Sequence, residues 1–349
     1  MTEKKIKVAI NGFGRIGRAF FRLAQAQYPN IDIVAINDLG DINNLAYLLR
    51  YDTAQGKSGL EVSSSDDGRT HLFVNGNDVR ILQEREPQNL PWGEMDIDVV
   101  IESTGFFTKY DQAALHLDAG AKRVVISAPG KGEPREGVSS GTALLGVNND
   151  TVGTCQISSN GSCTTNASAP VVSILNDAIG IEKALLNTTH AYTATQAIVD
   201  SPAKGGKDYR AGRAAAQNII PSSTGAAVAV TQAIPALEGK FDGIACRVPV
   251  VSGSIADVTF LAKRDTSVEE VNQILKDAAK DPRWEGIFMV TEEPIVSSDI
   301  IGNTHASIAD LPMTRVVDGN LVKVMAWYDN EMGYTNTLVR HVIETGSKL

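Results

Sequence analysis

The sequence predicts an α/β protein, with a doubly wound parallel sheet in its first half and an α+β domain with a mostly antiparallel sheet behind it. Three observations carry this. An apolar run, a glycine-rich turn, a helical segment and a second apolar run ending on an acid follow one another from Lys5 to Asp38. Short apolar strands then keep alternating with helices as far as Pro129, the order that gives parallel strands with crossover helices. After Cys163 the texture changes, and strands at Gly243–Val250 and Ile255–Ala262 come in succession before a helix at Ser267–Lys280.

A chain of 349 residues suits roughly two domains. Apolar residues at 43% and charged residues at 21% describe a globular protein with material for real cores. A net charge of -9 and a pI near 5.1 argue against nucleic acid or an anionic membrane as the main partner. The charged start Met1–Lys7 carries no signal-peptide apolar region, and no run reaches the roughly 18 residues of a membrane span. Three cysteines, Cys155, Cys163 and Cys246, do not make a disulfide framework. These features lead us to expect a reducing, cytoplasmic setting.

In order, Lys5–Ile10 reads as a strand, Phe20–Ala24 lies within a helix and Ile31–Ile36 is a second strand. An amphipathic helix is expected from Asp41 to Tyr51. Short strands fill 60–92, with turn signals at Asp66-Asp67-Gly68 and at Asn75-Gly76-Asn77, the second a hairpin type. Asp98–Gly105 and Arg123–Pro129 are further strands, separated by a helix from Asp111 to Asp118 that Gly120 closes. Lys131–Gly141 is a loop. Pro170–Ile179 has one apolar helix face at 171, 174, 175 and 178. Ala184–Thr193 is extended, with Leu186, Thr188, His190 and Tyr192 on one face. A long basic loop spans Asp200–Ser223, and helices are expected at Gly225–Leu237 and Met332–Glu344.

Gly12, Gly14 and Gly17 form G-x-G-x-x-G between a strand and a helix, with Asp38 ending the next strand. In that context the pattern is a Rossmann dinucleotide fingerprint. The first glycine permits the turn, the second admits a pyrophosphate, and the third lets the helix pack closely. Asp38 would accept from ribose hydroxyls and repel a 2′-phosphate, which favours NAD over NADP. Thr104 and Ser127 fall at carboxyl ends of strands, where ligands sit in such sheets.

Cys163 lies among small hydroxylated residues, Ser159 to Asn166, just before a helix. Unpaired N–H groups and the dipole there favour an anion and a lowered thiol pKa. A lone cysteine is more commonly a small buried residue. Of five histidines, His116 and His341 sit on predicted helices and are expected at the surface, His71 is near a turn and His305 is in a loop. His190 ends the extended segment; without a partner in view, a structural role is the commoner reading.

Five blocks together resemble the phosphorylating glyceraldehyde-3-phosphate dehydrogenases. They are Ala9–Arg18, Ser159–Asn166, His190–Thr193, Arg213–Ala227 and Trp327–Tyr334, and the likeness runs in order along essentially the whole chain. The resemblance implies NAD-dependent oxidation of D-glyceraldehyde 3-phosphate to an acyl phosphate with inorganic phosphate, no metal, and a homotetramer. It implies an NAD-binding domain over 1–162 and 330–349 and a catalytic domain over 163–329. Cys163 would be the nucleophile and His190 its base. Gly12, Arg15 and Ile16 would face the pyrophosphate, Asp38 the ribose, Arg85 the adenine, and Ser127 and Asn330 the nicotinamide. Thr193 and Arg247 would hold the substrate phosphate, with Arg210 a weaker candidate, and Ser162, Thr164, Thr224 and Gly225 the inorganic phosphate. Pro202 stands where NAD-specific relatives carry proline. Many members have a second cysteine four positions after the nucleophile; here it is Ala167. Erythrose-4-phosphate dehydrogenase, which hydrolyses its thioester, shares the scaffold and is the alternative.

Overall fold

The computed structural model describes residues 5–65, 70–203 and 208–349. The Asp66-Asp67-Gly68 turn and the Gly205-Gly206-Lys207 part of the basic loop lie outside these residues. The chain divides into two compact units: residues 1–161 with 335–349, and residues 162–334.

The first unit holds a nine-stranded sheet. Its strands are β1 (Ile6–Asn11), β2 (Ile31–Asn37), β3 (Val62–Ser64), β4 (His71–Val74), β5 (Asn77–Leu82), β6 (Val99–Glu102), β7 (Arg123–Ile126), β8 (Ser140–Thr142) and β9 (Ile157–Ser159). They lie in the order β3-β4-β5-β2-β1-β6-β7-β9-β8. Pairing is parallel except for the antiparallel β3-β4 and β4-β5 pairs at one edge. Val8, Ile10, Val99, Val100 and Ile101 are fully buried, as strands covered on both faces must be. Helices α1 (Arg15–Gln27) and α2 (Ile42–Arg50) bury one stripe each. The expected third helix is two short segments, α3 (Tyr110–Ala113) and α4 (Leu115–Asp118), joined through a helical Ala114. Asn75 and Gly76 both take positive φ, 49° and 79°, so the β4-β5 hairpin turns as the Asn-Gly pair requires.

The second unit opens with α5 (Cys163–Ala178), capped by Ser162. Its eight-stranded sheet contains β10 (Ile181–Ala191), β11 (Ile220–Ser223), β12 (Phe241–Val248), β13 (Ser254–Ala262), β14 (Phe288–Thr291), β15 (Ser307–Asp310), β16 (Arg315–Val317) and β17 (Leu321–Tyr328). The order is β11-β12-β10-β13-β17-β15-β14, with β16 on β17. The sheet is mixed: β10-β12 and β14-β15 are parallel, and the other pairs run antiparallel. Helices α6 (Ala226–Ala233) and α7 (Val268–Ala278) pack beside α5, which lies against β10, β13, β15 and β17.

Helix α8 (Met332–Ser347) starts in the second unit and continues in the first from Thr335. Asn330 therefore belongs to the second unit, whereas the sequence reading placed 330–334 with the first. The reason is local: its side-chain oxygen accepts from Gly253 N at 3.2 Å and Ser254 Oγ at 3.0 Å.

Two histidines expected at the surface are fully buried within the first unit. His116 Nδ1 accepts from Trp92 Nε1 at 3.0 Å, and its Nε2 donates to Glu102 Oε2 at 3.1 Å. His341 bonds Ser158 Oγ at 2.8 Å through Nε2 and Asn160 Oδ1 at 3.0 Å through Nδ1. Each ring is enclosed because complementary groups distant in sequence meet both nitrogens.

Candidate active site

In the first unit the glycine turn is fixed by close backbone approach. Gly12 has φ of 96°, and a Cβ there would lie 2.6 Å from Thr104 N. At Gly17 a Cβ would lie 2.3 Å from Gly12 O, so α1 sits directly on the turn. Nothing approaches within 4 Å of a Cβ at Gly14. Gly14 also caps α1 without a side chain, and the first turn of that helix holds no acid. Its partial positive charge is therefore not offset by the helix's own side chains, which suits a pyrophosphate over Arg15 and Ile16. The Arg15 guanidinium pairs with Asp52 rather than reaching over the turn. Asp38 accepts from Phe13 N at 2.7 Å and Gly40 N at 2.8 Å, one bond per oxygen, leaving lone pairs on both for ribose hydroxyls. Ser127 follows β7 and donates its N–H to Glu102 O at 2.9 Å, while Arg85 is exposed. The donor and acceptor set fits a dinucleotide.

In the second unit Cys163 is the first residue of α5. Ser162 Oγ accepts from Thr165 N at 3.1 Å, and Ser162 N donates back to Thr165 Oγ1 at 3.2 Å, a reciprocal cap. β10 carries His190 to the same place: Cys163 Sγ and His190 Nε2 are 3.3 Å apart. His190 Nδ1 lies 2.6 Å from Ala191 O, which can only accept. We therefore assign the ring proton to Nδ1, with Nε2 the acceptor facing sulfur. Arg247, on the neighbouring β12, donates from Nη1 to the same carbonyl at 3.2 Å; the 2.5 Å approach of Nη1 to Nδ1 sets donor against donor in this tautomer and is a close contact, not a hydrogen bond. Its Nε is buried without a partner among the described residues.

The electrostatics correct one expectation. Burial pushes the Cys163 thiol up, and Arg247, Thr164 and the amides of the first helical turn only partly oppose it. Burial and then the Arg247 charge press His190 down to about 3, against the Ala191 carbonyl. Desolvation thus works against the charged forms of both groups, and the helix terminus offsets only part of it at the thiol.

Behind the pair, Tyr328 packs its ring edge-on to His190 at 5.8 Å. Its hydroxyl lies 2.8 Å from both Thr164 Oγ1 and Thr188 Oγ1, and burial pushes its pKa up. The Thr164 hydroxyl thus has an interior partner, and the residue is buried. Tyr328 and Thr188 were given no role from sequence, although the alternating burial of β17 points Tyr328 inward.

Distances join Cys163, His190 and Arg247 directly and Thr164 through Tyr328. Other candidates have separate local partners. Thr193 Oγ1 meets Thr195 Oγ1 at 2.9 Å, and Thr224 Oγ1 accepts from Ala226 N at 3.1 Å beside Gly225, the cap of α6. Arg210 is exposed and paired with Asp208 at 2.9 Å, so its charge is already matched by a near neighbour in sequence. Asn330 keeps its Nδ2 without a partner among the described residues while its oxygen is held by the 252–254 segment. No group of acids, histidines and cysteines able to hold a metal occurs among the described residues.

Two family models match this chain. Residues 6–110 match the glyceraldehyde 3-phosphate dehydrogenase NAD binding domain, and residues 162–330 match the C-terminal domain of that family. The chain is 47% identical over 346 residues to the glyceraldehyde-3-phosphate dehydrogenase of Streptomyces coelicolor, covering 99% of both. It is 48% identical over 336 residues to glyceraldehyde-3-phosphate dehydrogenase 1 of Bacillus subtilis, covering 96% of both. The Clostridium pasteurianum enzyme of that name is 47% identical over 338 residues, again with 96% of both covered.

Proposed function

The chain belongs to the glyceraldehyde-3-phosphate dehydrogenase family, and on that premise we propose that Cys163 and His190 carry the NAD-dependent oxidation of D-glyceraldehyde 3-phosphate to 1,3-bisphosphoglycerate, the phosphorylating step of glycolysis. The observation that carries the residue roles is the 3.3 Å approach of Sγ to an imidazole nitrogen whose opposite side is held by a carbonyl.

The proton of Cys163 passes to His190 Nε2, which conserves the net charge of the pair. Sulfur then attacks the aldehyde carbon, and the imidazolium returns its proton to the oxygen, giving a hemithioacetal. Bound NAD supplies the acceptor for the hydride. As the C–H bond breaks, Nε2 takes the hydroxyl proton and an acyl thioester remains on Cys163. Inorganic phosphate attacks that carbonyl, the thiolate leaves, and the acyl phosphate departs. Arg247 offers a planar fork to the substrate phosphate, with Thr193 beside it in this reading. A phosphate there would also offset the guanidinium charge that opposes protonation of His190. Ser162, Thr164, Thr224 and Gly225 are assigned to the incoming phosphate, and Arg210 has the weakest case.

For the cofactor, Gly12, Arg15 and Ile16 present backbone to the pyrophosphate, Asp38 binds the ribose and Arg85 lies toward the adenine. Ser127 and Asn330 serve the nicotinamide, Asn330 through its Nδ2 donor. The named relatives carry the glyceraldehyde-3-phosphate name, and no observation favours erythrose 4-phosphate. We further assign a homotetramer in the cytoplasm. Exposed Leu185 and Ile244 on β10 and β12 give the second unit an apolar outer patch suited to subunit contact, and no helix among the described residues is long and apolar enough to cross a membrane.

The test is NADH absorbance with glyceraldehyde 3-phosphate. Turnover should require added phosphate or arsenate; NADH formed at an equal rate without either would point to hydrolysis and overturn the phosphorylating assignment.

A further inference from the structure

Within the second unit the cofactor-facing amide and the catalytic imidazole are joined by a short run of hydrogen bonds. Ala191 donates its N–H to Ser254 Oγ at 3.1 Å, and Ser254 Oγ donates to Asn330 Oδ1 at 3.0 Å. The other end of the Ala191 residue, its carbonyl, holds His190 Nδ1 at 2.6 Å. Ser254 is buried and begins β13, beside the end of β10. Its one hydroxyl is used as acceptor on one side and donor on the other, so both bonds have a fixed direction. Ser252 lies in the same segment; its hydroxyl donates to buried Asp329 Oδ1 at 3.0 Å and reaches Asn330 Oδ1 only at 3.5 Å.

From this the geometry points to Ser254 as a positioning residue that couples Asn330 to His190: the orientation of the Asn330 side chain sets how firmly the Ala191 carbonyl supports the imidazole. The proposal rests on the roles given above to Asn330 and His190. Its physical content is simple. A carbonyl held against Nδ1–H favours the imidazolium, and therefore the thiolate; a carbonyl free to retreat does not. The charged or titratable groups facing His190 are Cys163 from α5, Arg247 from β12 and Tyr328 from β17. None of them is changed by substitution at 254. The Asn330 Nδ2 that is left over is the donor through which a bound nicotinamide amide would be sensed at the base.

The experiment uses the full-length protein without cofactor and follows iodoacetamide alkylation of the Cys163 peptide against pH by mass spectrometry. That readout separates Cys163 from Cys155 and Cys246. Ser254→Ala should raise the pH midpoint by about half a unit, the size expected for weakening one hydrogen bond to the charged form. Asn330→Ala should raise it similarly, and the double variant no further, because both act through one connection. Ser252→Ala, equally buried, removes only the longer 3.5 Å contact to Asn330 and should move the midpoint less than Ser254→Ala does. An unmoved midpoint in Ser254→Ala, additive shifts in the double variant, or an equal shift in Ser252→Ala would each overturn the coupling. If Ser254→Ala does not fold, Asn330→Ala decides alone, an unmoved midpoint counting against the proposal. Because no dinucleotide or aldehyde is present, the outcome is separate from whether NADH forms in the activity assay.

Discussion

The dinucleotide turn and the thiol site solve different problems with different materials. The turn is made of backbone: Gly12 against Thr104, Gly17 against Gly12, and Asp38 receiving two main-chain N–H groups. The thiol site is made of side chains, Cys163, His190, Arg247 and Tyr328, delivered by one helix and three strands. A backbone site tolerates changes of side chain but not of volume at its glycines. A side-chain site tolerates little change in chemistry, because each group's protonation depends on its neighbours.

The sharpest way to separate the two is Cys163→Ser. Aldehyde oxidation should fall by at least about 1,000-fold, since a hydroxyl is far less nucleophilic than a thiolate, while NAD binding measured by fluorescence titration stays within about twofold. A parallel loss of NAD affinity would mean that the two regions are not independent. Next in size is Gly12→Ala. Its φ of 96° and the 2.6 Å approach to Thr104 N leave no relaxed place for a methyl group. We expect a loss of roughly 1–3 kcal/mol in stability and a marked fall in NAD affinity, with Cys163 alkylation in the apo protein unchanged. A Gly12→Ala protein binding NAD normally would remove the turn from the cofactor site.

The smallest effect is on pH dependence and contrasts two buried histidines. His341 is pressed down by burial to about 4, and His190 to about 3, from an ordinary 6.5. For each, the unfolded chain takes up a proton near 6.5 while the native protein resists until the lower value. Stability is therefore full above about 6.5 and falls as pH drops, by at most about 3 kcal/mol for His341 once pH 4 is reached. His341→Gln should flatten the slope of denaturant stability between pH 6.5 and 4 without moving the activity profile. An unchanged slope would show that His341 does not take part in acid unfolding.

The same contrast explains what could be read from sequence. The dinucleotide turn is local: one strand, one helix and the next strand contain it, and its glycines sit where spacing alone predicts. Helix α5 and the placement of Cys163 at its start were also legible from the apolar face after Pro170. The thiol's partners were not, since His190, Arg247 and Tyr328 meet only when β10, β12 and β17 assemble, and only the family motif pointed to the first two. His116 and His341 were misread for a related reason. A polar residue on a helix reads as exposed unless its buried partners are known, and Trp92 and Ser158 lie 24 and 183 positions away. The upward push on the thiol was not legible because a helix terminus is visible in sequence and desolvation at its site is not.

Helix α8 has a consequence for synthesis. The first unit needs residues 335–349 as well as 1–161, and His341 meets Ser158 and Asn160 only once that helix is present. On a ribosome the opening 161 residues therefore lack the α8 partners of Ser158 and Asn160 until the whole second unit has been translated. A nascent chain stalled before Thr335 should be a natural client for chaperones.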